Sequence, residues 1–186
     1  MLPVTLKSLP SYMCLDTLEG DDVRHLNAST KVTCKNYTPD QFRDLKHNDF
    51  SIMHCNIRSL NKHHDDLVSL LSTIDYTPLV IGCTESLLNH NSYIDILNLD
   101  GYMLHHKDRQ GRVGGGACLF VHSSLHANVC DDLFIDFNPI DSIFIEINNT
   151  VGKNLIIGVI YRPPDSNIPT FLDKLSDLIF ETPPDL

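Results

Sequence analysis

The strongest constraint on the fold is a change of hydrophobic period between Phe50 and Glu85. The segment from Phe50 to Ile57 is short, largely apolar and followed by a polar loop, which is typical of a strand. One helix face then follows, with apolar residues at i, i+3, i+4 and i+7: Leu67, Leu70, Leu71 and Ile74. Pro78 to Glu85 is a second strand, apolar on both faces until its polar end. The order strand, helix, strand favours an α/β fold.

The rest of the chain is mostly strand-like. The predicted strands are Gly101 to His106, Ala117 to Val121, Ser142 to Ile147 and Leu155 to Tyr161. Asn148 to Lys153 suits a hairpin turn because Asn and Gly tolerate positive φ. A second amphipathic helix is predicted around Phe171 to Ile179, ending before two prolines. Together these elements predict a sandwich with sheets in the middle and helices outside.

Length and composition fit one globular domain behind a loosely structured leader. The chain has 186 residues, and residues 1–49 lack sustained periodicity, so we expect residues 50–186 to form the domain. No apolar run approaches the roughly 20 residues that span a bilayer, and no signal peptide is evident. We therefore expect an intracellular protein, nuclear or cytoplasmic, with no membrane partner. The six cysteines form no CxxC pair and are interpreted as reduced core residues.

The formal net charge of −10 argues against a generic nucleic-acid binder, which is usually basic. From Phe50 onward, the basic residues nevertheless concentrate in or beside loops, among them Arg58, Arg112 and Arg162. Two interpretations fit this distribution. One is a local basic rim on an acidic body, and the other is ordinary solvation of loops.

Three polar residues stand where apolar strands end: Asn56, Glu85 and Tyr161. An Asn side chain can orient a phosphate or a metal-bound water, and a Glu carboxylate is a ligand for Mg²⁺. A Tyr hydroxyl beside Arg162 can donate to a phosphate. Singly, each residue is explained as well by a capping Asn, a surface Glu or a Tyr at the edge of the core. Their shared position predicts one cleft at the same end of one sheet.

The motifs around these residues resemble those of the endonuclease domains of non-LTR retrotransposons, within the endonuclease/exonuclease/phosphatase superfamily. The first is Asn56-Ile57-Arg58-Ser59-Leu60 before an amphipathic helix, and the second is Thr84-Glu85-Ser86-Leu87-Leu88. A glycine-rich strand entry and the tyrosine motif follow, at Gly114-Gly115-Gly116-Ala117 and Gly158-Val159-Ile160-Tyr161-Arg162-Pro163-Pro164. Ser86 and Leu87 depart from the commonest form, which has Thr and an aromatic residue after the Glu. Tyr37 to Phe42 looks like the family's short leader, so the resemblance covers residues 37–186.

The resemblance implies an α/β/β/α four-layer sandwich of the DNase I-like type and Mg²⁺-dependent nicking of DNA. Glu85 would hold the metal, Asn56 would orient the phosphate or the water of the metal, and Tyr161 would donate to the phosphate. Arg58, Arg112 and Arg162 would border the cleft and bind the DNA backbone. A reverse transcriptase would accompany the domain in a longer product.

Two later motifs of the family are absent from this sequence, a Gly-Asp-Phe-Asn-type motif and a closing Ser-Asp-His motif. Asp136-Phe137-Asn138 precedes the tyrosine motif and lacks a preceding buried strand, so it is not the equivalent. We therefore expect roughly the first half of the fold, with its first sheet uncovered on the inner face and marginally stable. We also expect no robust nicking by the 186 residues alone.

Two alternatives remain open at this stage. The chain is a phosphoesterase for another phosphodiester or phosphomonoester, such as a phosphoinositide, sphingomyelin or poly(A), or it is a non-enzymatic half-domain. Turnover on nicking substrates separates the DNA endonuclease from the phosphoesterase. Metal binding without turnover favours the non-enzymatic half-domain.

Overall fold

The computed structural model describes residues 50–74, 76–107, 114–135, 137–148 and 154–181. The strands are β1 Ile52–Asn56, β2 Val80–Thr84, β3 Tyr102–His106, β4 Ala117–His122, β5 Ala127–Val129, β6 Asp141–Ile147 and β7 Leu155–Tyr161. The helices are α1 Leu60–Ile74, a 3₁₀ helix Ile94–Leu97 and α2 Ile168–Glu181. The predicted leader and the residues 149–153 of the predicted hairpin turn lie outside the described residues.

The first sheet has the strand order β1-β2-β4-β3. Strands β1 and β2 are parallel and are connected through α1, whereas β4 is antiparallel to both of its neighbours. Every residue of β2 is buried, as its apolar sequence predicts for a central strand. Helix α1 buries Leu60, Leu67, Leu70 and Ile74. Its Leu60 and Leu67 share a core with Ile81 and Phe120, so α1 covers one face of this sheet.

The second sheet covers the other face of the first. It has the order β5-β6-β7, with antiparallel pairing throughout. The predicted alternation in β6 is confirmed, since Ile143, Ile145 and Ile147 are all buried. They share a core with residues of the first sheet: Val80, Ala117, Leu119 and Val121. The expectation of an uncovered inner face is therefore wrong, because β5 to β7 already supply a partner sheet.

Gly82 is a point of close contact between the two sheets. A Cβ at this position would lie 2.6 Å from Cγ2 of Val159 on β7. Any larger residue here would force the Val159 side chain or one of the strands to move. The contact fixes β2 against β7 two residues before each strand ends, at Thr84 and Tyr161.

The sequence located most elements and missed two. Strands β1 to β4, β6 and β7 and both α-helices lie where they were predicted, with ends shifted by a few residues. Strand β5 and the 3₁₀ helix were not predicted, because each has only three or four residues and shows no period. Among the described residues, no helix is long and apolar enough to cross a bilayer.

Candidate metal and phosphate site

The first part of the site is formed where β1 and β2 end side by side. The parallel register pairs Asn56 with Thr84. Glu85, which follows Thr84, therefore lies one residue farther along the sheet than Asn56. The Ile57 amide continues the pairing by donating to the Thr84 carbonyl at 2.9 Å. Asn56 and Glu85 are both half-buried. Two residues predicted from separate motifs are therefore brought to one edge of the sheet.

The backbone beyond these strand ends is left-handed at four residues that are not glycine. They are Arg58 with φ 50°, Ser59 with φ 106°, Glu85 with φ 54° and Leu87 with φ 54°. Hydrogen bonds hold the two segments together, from the Ser59 amide to the Glu85 carbonyl at 2.8 Å and from Leu60 to Ser86 at 2.9 Å. Such conformations cost about 1–3 kcal/mol each and cluster at functional sites. The packing of the strand ends thus imposes an unfavourable backbone on the segment that carries Glu85.

The glycine-rich entry to β4 forms the next side of the site. The Leu87 amide donates to the Gly115 carbonyl at 3.0 Å, and Ser86 donates to Gly116 at 3.3 Å. A Cβ on Gly116, where φ is 92°, would lie 2.6 Å from the Ser86 hydroxyl. That hydroxyl is buried and has no hydrogen-bond partner among the described residues. The glycine is therefore required both by its own backbone and by the side chain beside it.

Tyr161 reaches the same end from the second sheet. It pairs with Asp141 across β6 and β7, and the Asp141 carboxylate accepts a hydrogen bond from the Gly116 amide at 2.9 Å. The contact of Val159 with Gly82 aligns the two sheets two residues earlier. The three predicted residues thus end at one edge of the sandwich. The prediction that they share one sheet is wrong, because Tyr161 belongs to the second sheet and Asp141 forms the link.

His54 is a site neighbour that the sequence analysis missed. Its Nε2 lies 3.4 Å from the Thr84 hydroxyl, and it precedes Asn56 by two residues, on the same face of β1. Burial lowers the pKa of His54 below its ordinary value, which favours the neutral imidazole. The alternation of side chains along a strand places His54 on the same face as Asn56, so the sequence did contain a signal for His54. No local signal marked Asp141, since its contact depends on how the sheets are paired.

The three predicted arginines have different surroundings. Arg58 is exposed, and its backbone amide donates to the Asn56 side-chain oxygen at 3.3 Å. The Arg162 guanidinium donates to the Ser166 hydroxyl and to the Pro163 carbonyl, each at 3.1 Å. Arg112 lies outside the described residues. Arg58 therefore adjoins the strand ends, whereas Arg162 is held by its own loop.

The donor atoms at this edge suit a hard cation. The side chains of Asn56, Thr84 and Glu85 each carry an oxygen atom that can coordinate a metal. Mg²⁺ takes oxygen ligands, often one or two carboxylates with several waters, so the chemistry of these side chains fits Mg²⁺. The described residues contain no group of three His, Cys, Asp or Glu able to hold a metal.

Comparisons with known proteins support the fold. No protein-family model and no curated protein sequence matches this chain. Among solved structures, the human Nocturnin catalytic domain with bound sulfate anion is similar at a TM-score of 0.51 and 12% identity, over 74% of this chain and 58% of that one. ANGEL2, a 2′,3′-cyclic phosphatase, is similar at a TM-score of 0.48 and 16% identity, over 71% of this chain and 46% of that one.

A third similar structure is the 3′ phosphatase NExo from Neisseria bound to product DNA hairpin. Its TM-score is 0.44 at 18% identity, over 72% of this chain and 51% of that one. This chain thus spans about half the length of the three structures. The Nocturnin comparison and the two-sheet topology confirm the predicted fold class, the DNase I-like sandwich of the endonuclease/exonuclease/phosphatase type.

Proposed function

We propose that this chain carries part of a Mg²⁺-dependent site for phosphodiester hydrolysis, with DNA as the substrate. The observation that supports the proposal most is the meeting of three strand ends at one edge of the sandwich. Asn56 and Glu85 come together through the register of β1 and β2, and Tyr161 arrives through Asp141 and Gly116. The left-handed backbone at Glu85 adds to this support, because strain of that kind is concentrated at functional sites.

Each residue has a distinct role in the proposal. The Glu85 carboxylate and the Asn56 side-chain oxygen hold the cation, and the Tyr161 hydroxyl donates to a non-bridging phosphate oxygen. Bound Mg²⁺ would stabilise the negative charge that develops on the phosphate and on the leaving oxygen. The neutral His54 keeps Thr84 in place beside Asn56 through their 3.4 Å contact.

DNA is favoured over other phosphoesters by two features. The segments Asn56 to Leu60 and Gly158 to Pro164 resemble the retrotransposon branch of the superfamily. The exposed Arg58 lies beside the strand ends, where a cation can neutralise a backbone phosphate despite the formal net charge of −10. A reverse transcriptase in a longer product is the partner that this branch implies.

Metal binding and turnover are best measured separately, because no residue here is assigned to the activation of water. Mn²⁺, used as a magnetic substitute for Mg²⁺, is titrated into the wild type, Glu85→Gln and Asp100→Asn. Asp100 lies before β3, at the opposite end of the first sheet, so it is a matched carboxylate control. We expect Glu85→Gln to weaken Mn²⁺ binding by at least about tenfold, and Asp100→Asn to leave it unchanged.

Substrate class is tested with the same proteins. DNA hairpins, a phosphodiester reporter and a phosphomonoester reporter are compared for binding and turnover in Mg²⁺. Metal-dependent binding of DNA that is lost in Glu85→Gln supports the proposal. Preference for the monoester would favour the phosphatase alternative, and equal Mn²⁺ affinity in the wild type and Glu85→Gln would refute the metal assignment.

A further inference from the structure

Three cysteines form a row across the first sheet. The register pairs Cys55 of β1 with Cys83 of β2, and Cys83 with Cys118 of β4. All three belong to the face that α1 covers, and each is a free thiol. The sulfur atoms of Cys55 and Cys83 are 3.4 Å apart. The interpretation of reduced core cysteines therefore holds for this row, but the thiols are also in contact with one another.

The geometry of the first pair suits a disulfide. Neighbouring strands lie about 4.7–4.9 Å apart, which falls within the roughly 4.4–6.8 Å between Cα atoms that a disulfide spans. A bond of about 2.05 Å requires the two sulfur atoms, now 3.4 Å apart, to approach by about 1.4 Å. Side-chain rotation supplies much of that movement without separating the strands.

The two thiols of the pair differ in access. Cys55 lies on the edge strand and is half-buried, whereas Cys83 and Cys118 are fully buried. A peroxide in solution therefore reaches Cys55 more readily than it reaches Cys83. We assign Cys55 as the attacking thiol and Cys83, whose sulfur atom is 3.4 Å away, as the resolving thiol.

We propose that Cys55 and Cys83 are a redox pair that a hydroperoxide converts to a disulfide. The Cys55 thiolate attacks one peroxide oxygen, the O–O bond breaks, and with one proton the products are a Cys55 sulfenic acid and water, or an alcohol from an organic hydroperoxide. The Cys83 sulfur then attacks the Cys55 sulfur and water leaves with the Cys83 proton. The two sulfurs together lose two electrons, which the peroxide gains.

The pair lies directly behind the candidate site. Asn56 follows Cys55 and Thr84 follows Cys83, so a disulfide would fix the relative position of the two strand ends. The thiol chemistry itself does not depend on the proposed hydrolase function. A failure of Mn²⁺ binding and a failure of disulfide formation are therefore separate results.

Tryptic peptide mapping provides a direct test. Cleavage after Lys and Arg places Cys55 in residues 47–58, Cys83 in residues 63–107, and Cys118 with Cys130 in residues 113–153. The folded 186-residue chain is treated with hydrogen peroxide, then unfolded in urea, alkylated without reduction and digested. We expect a cross-linked peptide joining residues 47–58 to residues 63–107, which disappears on reduction, together with loss of alkylation at Cys55 and Cys83.

Two variants make the outcome decisive. Cys83→Ser removes the resolving thiol, so Cys55 should accumulate as a sulfenic acid that dimedone traps. Cys130→Ser alters a free cysteine outside the row and should leave the cross-link unchanged. A Cys83–Cys118 cross-link as the main product, or no dimedone adduct at Cys55 in folded Cys83→Ser, would overturn the proposal.

Discussion

The two ends of the first sheet differ in backbone strain and in packing. At the Thr84 end, four residues other than glycine are left-handed, within a network of backbone bonds. At the Val80 end, Gly101 is the left-handed residue, and the Tyr102 hydroxyl donates to the Pro78 carbonyl at 2.6 Å. Both ends are hydrogen-bonded, but among the described residues the left-handed residues that carry a side chain lie at the Thr84 end. Backbone strain of this kind is concentrated at functional sites, and this end is the one proposed above to bind a cation.

A groove of about 550 Å³ lies at the Val80 end, lined in part by Leu71, Tyr76, Asn98 and Tyr102. Its described lining residues include a carboxylate, Asp100, but no histidine, lysine or arginine. This groove therefore lacks the cationic side chains that suit a phosphate, and the site proposed above lies at the opposite end of the sheet.

The largest predicted effect compares two isoleucines at opposite ends of β1, Ile52 as its first residue and Ile57 directly after its last. Ile57 is 1% exposed at the site end, whereas Ile52 is 56% exposed at the other. Ile57→Ala should lower the free energy of unfolding by about 2–5 kcal/mol, because it empties part of the core beneath α1. Ile52→Ala should change it by no more than about 0.5 kcal/mol. Urea unfolding of both variants measures the difference, and equal losses would show that the ends are packed alike.

The sequence predicted the strands better than it predicted the site. Regular periods located β1, α1, β2 and β6, because burial of one or both faces leaves a trace in each short segment. The left-handed Glu85 left no such trace, since residues with side chains seldom adopt positive φ. The link from Gly116 to Asp141 joins residues 25 positions apart and exists only once the sheets have packed. Local pattern therefore places strands, whereas tertiary contact determines which strand ends meet.

The second prediction compares two left-handed glycines at opposite ends. Gly116→Ala should lower the free energy of unfolding by about 2–4 kcal/mol. Backbone strain accounts for about 1–2 kcal/mol of this loss, and a clash with the Ser86 hydroxyl accounts for the rest. Gly101→Ala should cost only the strain, about 1–2 kcal/mol, because its nearest neighbour, Nε2 of His122, would be 3.6 Å away. Thermal and urea unfolding measure the loss in both variants. Adding Ser86→Ala to Gly116→Ala should recover the part of the loss that exceeds that of Gly101→Ala. No recovery would contradict the clash with the Ser86 hydroxyl.

The third prediction separates strain from binding at Arg58. Arg58→Gly should raise the free energy of unfolding by about 0.5–1 kcal/mol, since glycine adopts φ 50° without the left-handed penalty. The same change removes the exposed guanidinium, so affinity for DNA should fall and depend less on salt. Lys62→Gly is the control, because it replaces an exposed cation inside α1 and should destabilise by about 1 kcal/mol. A loss of stability in Arg58→Gly would mean that its backbone is not strained.

The smallest predicted effect is a pH dependence at the site end. Burial lowers the pKa of His54 below its ordinary value of 6.5, so the unfolded chain binds a proton more readily than the folded one. This contribution to stability is complete above about pH 6.5 and is lost as the pH falls through the lowered pKa. In urea unfolding at a series of pH values, His54→Gln should flatten the slope below pH 6.5. The pKa of His105 is also lowered by burial, so His105→Gln should flatten the slope as well. His105 lies on β3, the edge strand farthest from β1 in the first sheet. Only His54→Gln should also weaken Mn²⁺ binding, because His54 contacts Thr84 beside Asn56, and equal weakening in both variants would remove His54 from the site.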